Sequence, residues 1–443
     1  MMGIEQLFHH DVLSSVMMVL IGFVALCIAV FAWRYLAGDR GKGAFYGYLL
    51  IVVVCLFVLV MADHMAVLLG AIAGANFGLV RLLGHNRQWP AAQQSARLAW
   101  RNFTLGWLLL CAALLILYGA SGESSIQAML DSDIASGSLW LSSSLIVLAA
   151  MTQSALWPFH KWLSNSLNAP TPVSAIMHAG LVNGGGFLLA RFAPLLSEQP
   201  LLLTAIFVIG IVSAILATLW KLIQSNIKQM LAYSTMGQMG FMIAQCGLGL
   251  LPAAIAHIFW HGLFKAYLFL SSGSAAKEPR LSLHYPPSAL QFLLALTAGV
   301  SAAVIFAATT HKSVFAGDTT LFLLVITVIA GTQVALPLMQ ANKRLTKPLA
   351  FTLTASLAFV YGLSVSFIEH TLAPLAMSHP QPLNIIHISA LVVMTTTWMW
   401  IIFAHKSAPE QVPKWQLKAY VALLNSSQPQ ASTMTAHRNH YQV

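Results

Sequence analysis

Runs of apolar residues long enough to cross about 30 Å of hydrocarbon recur along this chain, separated by short polar segments. They fall at 12–35, 45–62, 64–83, 104–121, 138–158, 172–193, 201–222, 229–249, 252–273, 287–309, 319–341, 348–367 and 384–405. Each run reads as a helix, because a spanning backbone in lipid must close its hydrogen bonds within itself. The pattern predicts an all-α polytopic membrane protein of about thirteen transmembrane helices. Residues 124–136 read as a turn of helix outside the membrane, and 407–443 as a polar, weakly basic tail. The loops between runs are too short for a soluble domain. The expected organisation is one transmembrane domain over 1–406 with a cytoplasmic tail over 407–443.

Loop charges then orient the chain, since Lys and Arg collect in cytoplasmic loops. Take alternate loops as cytoplasmic, beginning with the one after the first run. That side, with the tail, receives 19 of the 22 basic residues; Arg191 and Lys312 fall opposite, and Lys265 lies inside a run. The acids lean the other way, with Asp39, Glu278 and Glu410 inside and nine outside. A miscounted helix would scramble everything downstream of it. The amino terminus is therefore expected on the periplasmic side and the carboxyl terminus in the cytoplasm.

Composition agrees with this class. Hydrophobic residues make up 58% of the chain and charged ones 8%, with a mean hydropathy of +0.76. That is far too little charge to cover a soluble surface of 443 residues. The net charge of +10 reflects topology rather than nucleic-acid binding, because no basic patch gathers it. Cys27, Cys55, Cys111 and Cys246 sit apart within apolar runs, so neither a disulfide framework nor a zinc knuckle is indicated. The opening MMGIEQLFHHDVL has no basic segment or small-residue cleavage site, and does not read as a removable signal peptide.

Where charge is scarce, each ionisable group at membrane depth is a functional candidate. The densest cluster is His257, His261 and Lys265 in AHIFWHGLFKAYLF, stacked at i, i+4 and i+8 on one helix face. Imidazole titrates near neutrality, and a buried amine releases its proton readily. The row is read as a proton relay ahead of two other roles, polar packing or a zinc site. The HxxxH spacing lacks the acid of HExxH, and no third ligand is evident. His178 follows Pro170 and Pro172, which break or delay a helix start and free backbone groups that must face protein or water. It is placed to line a hydrated path, or else is a satisfied core histidine. Lys228 opens a helix rich in Ser, Thr, Gln and Gly, where it serves the path or merely sets topology. Gly70, Gly74 and Gly78 allow close helix approach. Gly184-Gly185-Gly186 lacks the GK[ST] of a phosphate loop. No dinucleotide fingerprint, carboxylate pair or nucleophile elbow is present. The chain reads as a path for something small, with no catalytic site, cofactor or metal of its own.

Three stretches together resemble the antiporter-like subunits of respiratory complex I (NuoL-like) and of Mrp-type cation/proton antiporters. They are MTQSALWPFHKWLSNSLNAPTPVSAIMHAGLVNGGGFLLAR (151–191), IKQMLAYSTMGQMGFM (227–242) and AHIFWHGLFKAYLFLSSGS (256–274). The likeness covers about residues 8–275. It implies a core of two inverted five-helix repeats, each contributing a half-channel through a broken helix, with channel positions at His178, Lys228, His257, His261 and Lys265. Two departures follow. The family's glutamate falls at Ile72–Ala73 and its partner lysine at Gln153, so the charge switch of the first half-channel is neutral here. No glycine-rich second broken helix is recognisable after residue 280; Lys312 and Glu369 are the remaining candidates for a second half-channel.

A reduced antiporter-like chain of this size also resembles DabB, the membrane-subunit family of DAB-type inorganic-carbon accumulation complexes. That resemblance implies a large peripheral partner, DabA, which carries zinc and hydrates CO2 to bicarbonate. The membrane subunit would admit H+ or Na+ and bias that hydration. A His/Lys path suits protons, whereas Na+ prefers carboxylates and carbonyls, so H+ is expected. The segment KWQLKAYVALL (414–424) is expected to lie on the membrane or to dock the partner, or else to be a solvated tail. The implied location is a bacterial inner membrane. The alternatives are a subunit of a complex I-like, hydrogenase or Mrp assembly, and a non-conducting membrane scaffold.

Overall fold

The computed structural model describes residues 7–277, 286–313, 315–341, 346–403 and 413–434. It is built of helices and divides into two compact units. The first takes the chain through Cys246, then His257–Ala276, then the chain from Leu423 onward. The second takes Gly247–Ala256 and Lys277–Ala422. The expected boundary at 406/407 lies outside the described residues.

In the first unit, α1 (Val12–Tyr35), α2 (Lys42–Met61), α3 (Met65–Leu83) and α4 (Pro90–Ser121) lead into the short α5 (Ile126–Leu130). Next come α6 (Ser136–Gln153), the single turn α7 (Lys161–Ser164), α8 (Thr171–Ala179), α9 (Gly184–Arg191) and α10 (Ala193–Ser197). Two long helices follow, α11 (Pro200–Leu222) and α12 (Ile227–Gly247). α13 (Leu251–Leu270) starts in the second unit and runs on in the first. The second unit continues with α14 (Ala289–Thr310), α15 (Thr320–Gln340), α16 (Thr346–Leu372), α17 (Ile385–Phe403) and most of α18 (Lys414–Ser427). Its core is a small-residue seam of Ala295, Ala298, Ala335 and Ala350 with Leu336 and Met339. Small side chains let helices approach closely where lipid offers no hydrophobic drive.

All thirteen expected runs contain helix, but among the described residues eleven segments are long and apolar enough to span a bilayer. The two that fall short are α6 and α12. Ser136, Ser138, Ser142, Ser143 and Ser144 dilute the first; Lys228, Gln229, Ser234, Thr235, Gln238 and Gln245 dilute the second. Polar helices of this kind need protein rather than lipid around them. α4 begins at Pro90, well before the expected 104, because proline suits a first helical position and the Ala/Gln/Arg-rich stretch after it propagates. Arg97 and Arg101, expected in a loop, therefore stand on a helix.

The run at 172–193 is not one helix. α8 stops at Gly180, a 3-10 turn covers Leu181–Asn183, and α9 begins at Gly184. Side chains take up carbonyls freed by the break. Asn183 Nδ2 donates to Ala179 O (2.7 Å), Gln153 Nε2 to Leu181 O (3.3 Å) and Ser154 Oγ to Val182 O (2.7 Å). A break at membrane depth is tolerated on those terms.

α11 and α12 meet backbone to backbone. A Cβ on Gly210 would lie 2.5 Å from Gly240 O and Ala244 N, and one on Gly240 would lie 2.7 Å from Gly210 O. Gly210→Ala is expected to destabilise the protein by about 1–3 kcal/mol through overpacking. An unchanged melting temperature in detergent would refute the contact.

Residues Leu423 to Thr433 are bonded and packed within the first unit. Ser427 O accepts from Gln229 Nε2 (3.1 Å) and Tyr233 Oη (2.7 Å). Asn165 Oδ1 accepts from Gln430 N (2.6 Å) and Thr433 Oγ1 (2.8 Å). Leu423 packs on the cluster of Ala217, Trp220, Tyr233 and Met236. Over α18 itself, Trp415, Leu417 and Tyr420 remain exposed.

Candidate functional site

The stripe expected on α13 is present and longer than its polar members. His257, His261, Lys265 and Phe269 follow at i, i+4 spacing, which aligns them along one face. All four are buried, Lys265 to 1% exposure. The rings of His257 and His261 are 6.1 Å apart. His178, in the last turn of α8, stacks on Phe269 at 4.2 Å and 18°. The aromatic ring thus carries the stripe from α13 across to α8. Gly262 makes this approach feasible, since a Cβ there would lie 3.0 Å from Ala179 O, one residue beyond His178.

α12 supplies the polar partners. His178 Nδ1 is 3.0 Å from Thr235 Oγ1, and His257 Nδ1 is 3.1 Å from Gln245 Oε1. Neither ring nitrogen of His261 has a hydrogen-bond partner among the described residues. A buried imidazole without a protein partner is left to bond water or exchange protons with its neighbours. Lys228 is the second residue of α12, two turns before Thr235 on the same face. Its Nζ donates to Ala169 O at 2.8 Å, just before Pro170 and the start of α8. Three of the five expected path residues, His178, Lys228 and His257, therefore join α8, its start, α12 and α13, and His261 and Lys265 continue the α13 stripe. Among the described residues, no three His, Cys, Asp or Glu side chains gather as a metal site needs.

Lys312 and Glu369 form a separate pair in the second unit, with Nζ to Oε1 at 2.6 Å. Lys312 follows the end of α14 and Glu369 lies in the last turn of α16, so the pair occupies helix ends.

Some residues escaped the sequence. Asn76, on α3, exchanges hydrogen bonds with Gln153 (3.2 and 3.5 Å), so Gln153 links α3 to the carbonyl of Leu181 at the helix break. Thr235 and Gln245 were visible only as part of a polar helix. Arg191, expected merely as one of two bases outside, donates to Asp11 Oδ2 (2.6 Å), Ser14 Oγ (3.0 Å) and Val60 O (2.7 Å). Burial pushes the Asp11 carboxyl up, but the Arg191 charge and hydrogen bonds from Ser14 and Arg191 outweigh it, holding it below 3.8. An isolated Asn in a glycine-rich helix, or an Asp just before an apolar run, is the available signal for such residues. Neither names its partner.

Known proteins resemble this chain in sequence and fold. The family described as NADH:quinone oxidoreductase/Mrp antiporter, transmembrane, matches residues 62–288, and the N-terminal family of complex I chain 5 matches residues 2–46. A probable inorganic carbon transporter subunit, DabB1, of Halothiobacillus neapolitanus is 36% identical over 281 residues, covering 61% of this chain and 50% of its own. The probable DabB of Bacillus subtilis is 36% identical over 278 residues (62% and 55%), and NADH-quinone oxidoreductase subunit L of Escherichia coli is 33% identical over 270 (60% and 44%). The chain spans about half the length of these curated relatives. In fold it is similar to a chain of the Mrp complex from Dietzia sp. DQ12-45-1b, with a TM-score of 0.62 and 24% identity over 94% of this chain and 52% of that one. With more than half its residues matched, the all-α membrane chain belongs to the NADH:quinone oxidoreductase/Mrp antiporter transmembrane family.

Proposed function

We propose that this chain is the cation-translocating membrane subunit of an inorganic-carbon accumulation complex, carrying H+ in preference to Na+. The observation that carries the reading is the buried row of His257, His261 and Lys265, continued through Phe269 to His178. In a low-dielectric interior an amine and imidazoles exchange protons, whereas none of these groups offers Na+ the oxygen cage it prefers. Lys228, bonded beside the start of α8, stands at the cytoplasmic entrance, and the Lys312–Glu369 pair is the candidate for a second half-channel. The Asn76–Gln153 amide pair cannot change charge, which suits a module uncoupled from distant redox signals. Similarity to DabB-named proteins supports the carbon-transport setting. The partner would be a DabA-type peripheral subunit holding zinc and the CO2-hydrating chemistry, so this chain has no active site of its own. On this reading the amino terminus lies in the periplasm and the carboxyl terminus in the cytoplasm, across a bacterial inner membrane, which the loop charges support.

Similarity to subunit L of the quinone oxidoreductase keeps one alternative alive, a proton-translocating subunit of a redox or Mrp assembly. Affinity capture from solubilised membranes, with mass spectrometry and zinc analysis, separates the two. A single large soluble zinc protein is the expected companion. Recovery of quinone-reductase, hydrogenase or Mrp subunits instead would overturn the carbon reading. A cation-flux assay on the same preparation tests the third case, a non-conducting scaffold.

A further inference from the structure

We infer that Thr235 and Gln245 are positioning residues that hold His178 and His257 as the Nδ1–H tautomer, leaving Nε2 of each ring as its proton-accepting atom. This rests on the proton path proposed above. The hydroxyl of Thr235 has one proton, and Leu231 O lies 3.0 Å from its oxygen in hydrogen-bonding geometry. With that proton committed, the oxygen offers His178 Nδ1 only a lone pair, at 3.0 Å, so the ring donates there. The amide oxygen of Gln245 is an acceptor alone, and it meets His257 Nδ1 at 3.1 Å. Both partners are buried, Thr235 to 0% and Gln245 to 1%, so bulk water does not compete for either nitrogen.

The bond made by one ring nitrogen decides the state of the other. The Phe269 stack keeps the ring from turning over and exchanging its two nitrogens. The step balances simply. A proton arrives at Nε2 and makes the imidazolium, Nδ1–H stays on Thr235, and Nε2 later gives that proton to the next carrier. With the proton on Nε2 instead, uptake there would first require loss of the proton it already holds.

The test uses the full chain, purified with its bound partners and reconstituted in phospholipid vesicles with isotope-labelled histidine. Nitrogen NMR reads the tautomers, and His178→Gln identifies the His178 signal by its disappearance. Proton flux after an acid pulse is read in parallel vesicles with a pH-sensitive dye. The parent protein is expected to show His178 as Nδ1–H. Thr235→Val should shift it toward Nε2–H and lower flux by about tenfold or more, as loss of a ligand-orienting partner does elsewhere. Thr235→Ser should restore both. His178 found as Nε2–H in the parent, or unmoved in Thr235→Val, overturns the inference whatever the flux. The parent spectrum decides this even if the valine variant fails to fold. Absent flux with an Nδ1–H His178 would sink the proton path and support the tautomer assignment by itself.

Discussion

Lys265→Met is expected to lower proton flux at least about a hundredfold, the scale on which a positioned proton-transfer group acts. Lys265 is buried to 1% exposure and ends the polar part of the α13 stripe, with His178 reached one helical turn further on through Phe269. Methionine keeps the length and apolar stem of the side chain, so packing around α13 should survive. The companion variant is Lys265→Arg. Guanidinium holds its proton at all ordinary pH values, so it preserves charge while preventing exchange. Flux measured in vesicles should therefore fall in both variants. An arginine variant conducting like the parent would show that Lys265 acts as a fixed charge, and proton carriage would then have to lie with the histidines alone.

Asp11→Ala should cost about 3–5 kcal/mol, the price of stranding a buried charge. Arg191 and Asp11 have side chains exposed to 8% and 9%, and together with Ser14 and Val60 O they tie α1, the end of α2 and α9 into one node. The carboxylate also caps α1 through Ser14 N at 2.7 Å. Heating in detergent, followed by the fraction remaining monodisperse, gives the loss directly. Adding Arg191→Met should recover part of it, since an apolar pair strands no charge. The pH dependence has a definite sign. The folded carboxyl titrates below its ordinary 3.8, so its contribution is fully present above that value and is lost as pH falls through the folded value. Melting should be insensitive to Asp11 from pH 8 to about pH 5 and should weaken only below about pH 4. A parent-like melting temperature for Asp11→Ala would show that the ion pair contributes nothing.

Much of the fold was legible along the chain because lipid imposes one demand on every segment. Length and apolarity located the helices, but they read 172–193 as one run, and the break that divides it into α8 and α9 came only with the structure. The same rule misjudged helix ends where polar residues continue a helix beyond the bilayer, as at Pro90–Asn102 of α4. Nor did it reveal that Ser427 and Thr433, in the polar tail, are buried within the first unit. A hydrogen bond that Asn165 accepts from Thr433, so distant in sequence, leaves no periodic trace.

The candidate site divides in the same way. The sequence alone determined that His257, His261 and Lys265 share a face, because helical spacing is a local property. It also determined the membrane class, because composition and apolar run length need no partner to be read. Only the tertiary structure decided that His178 meets that face through Phe269, that Thr235 lies against His178 and Gln245 against His257, and that Gln153 pairs with Asn76. It decided equally that Arg191 belongs to Asp11. Such pairings depend on which helices touch and at what register, and membrane packing settles that through small residues and buried hydrogen bonds rather than through the hydropathy that shapes each helix.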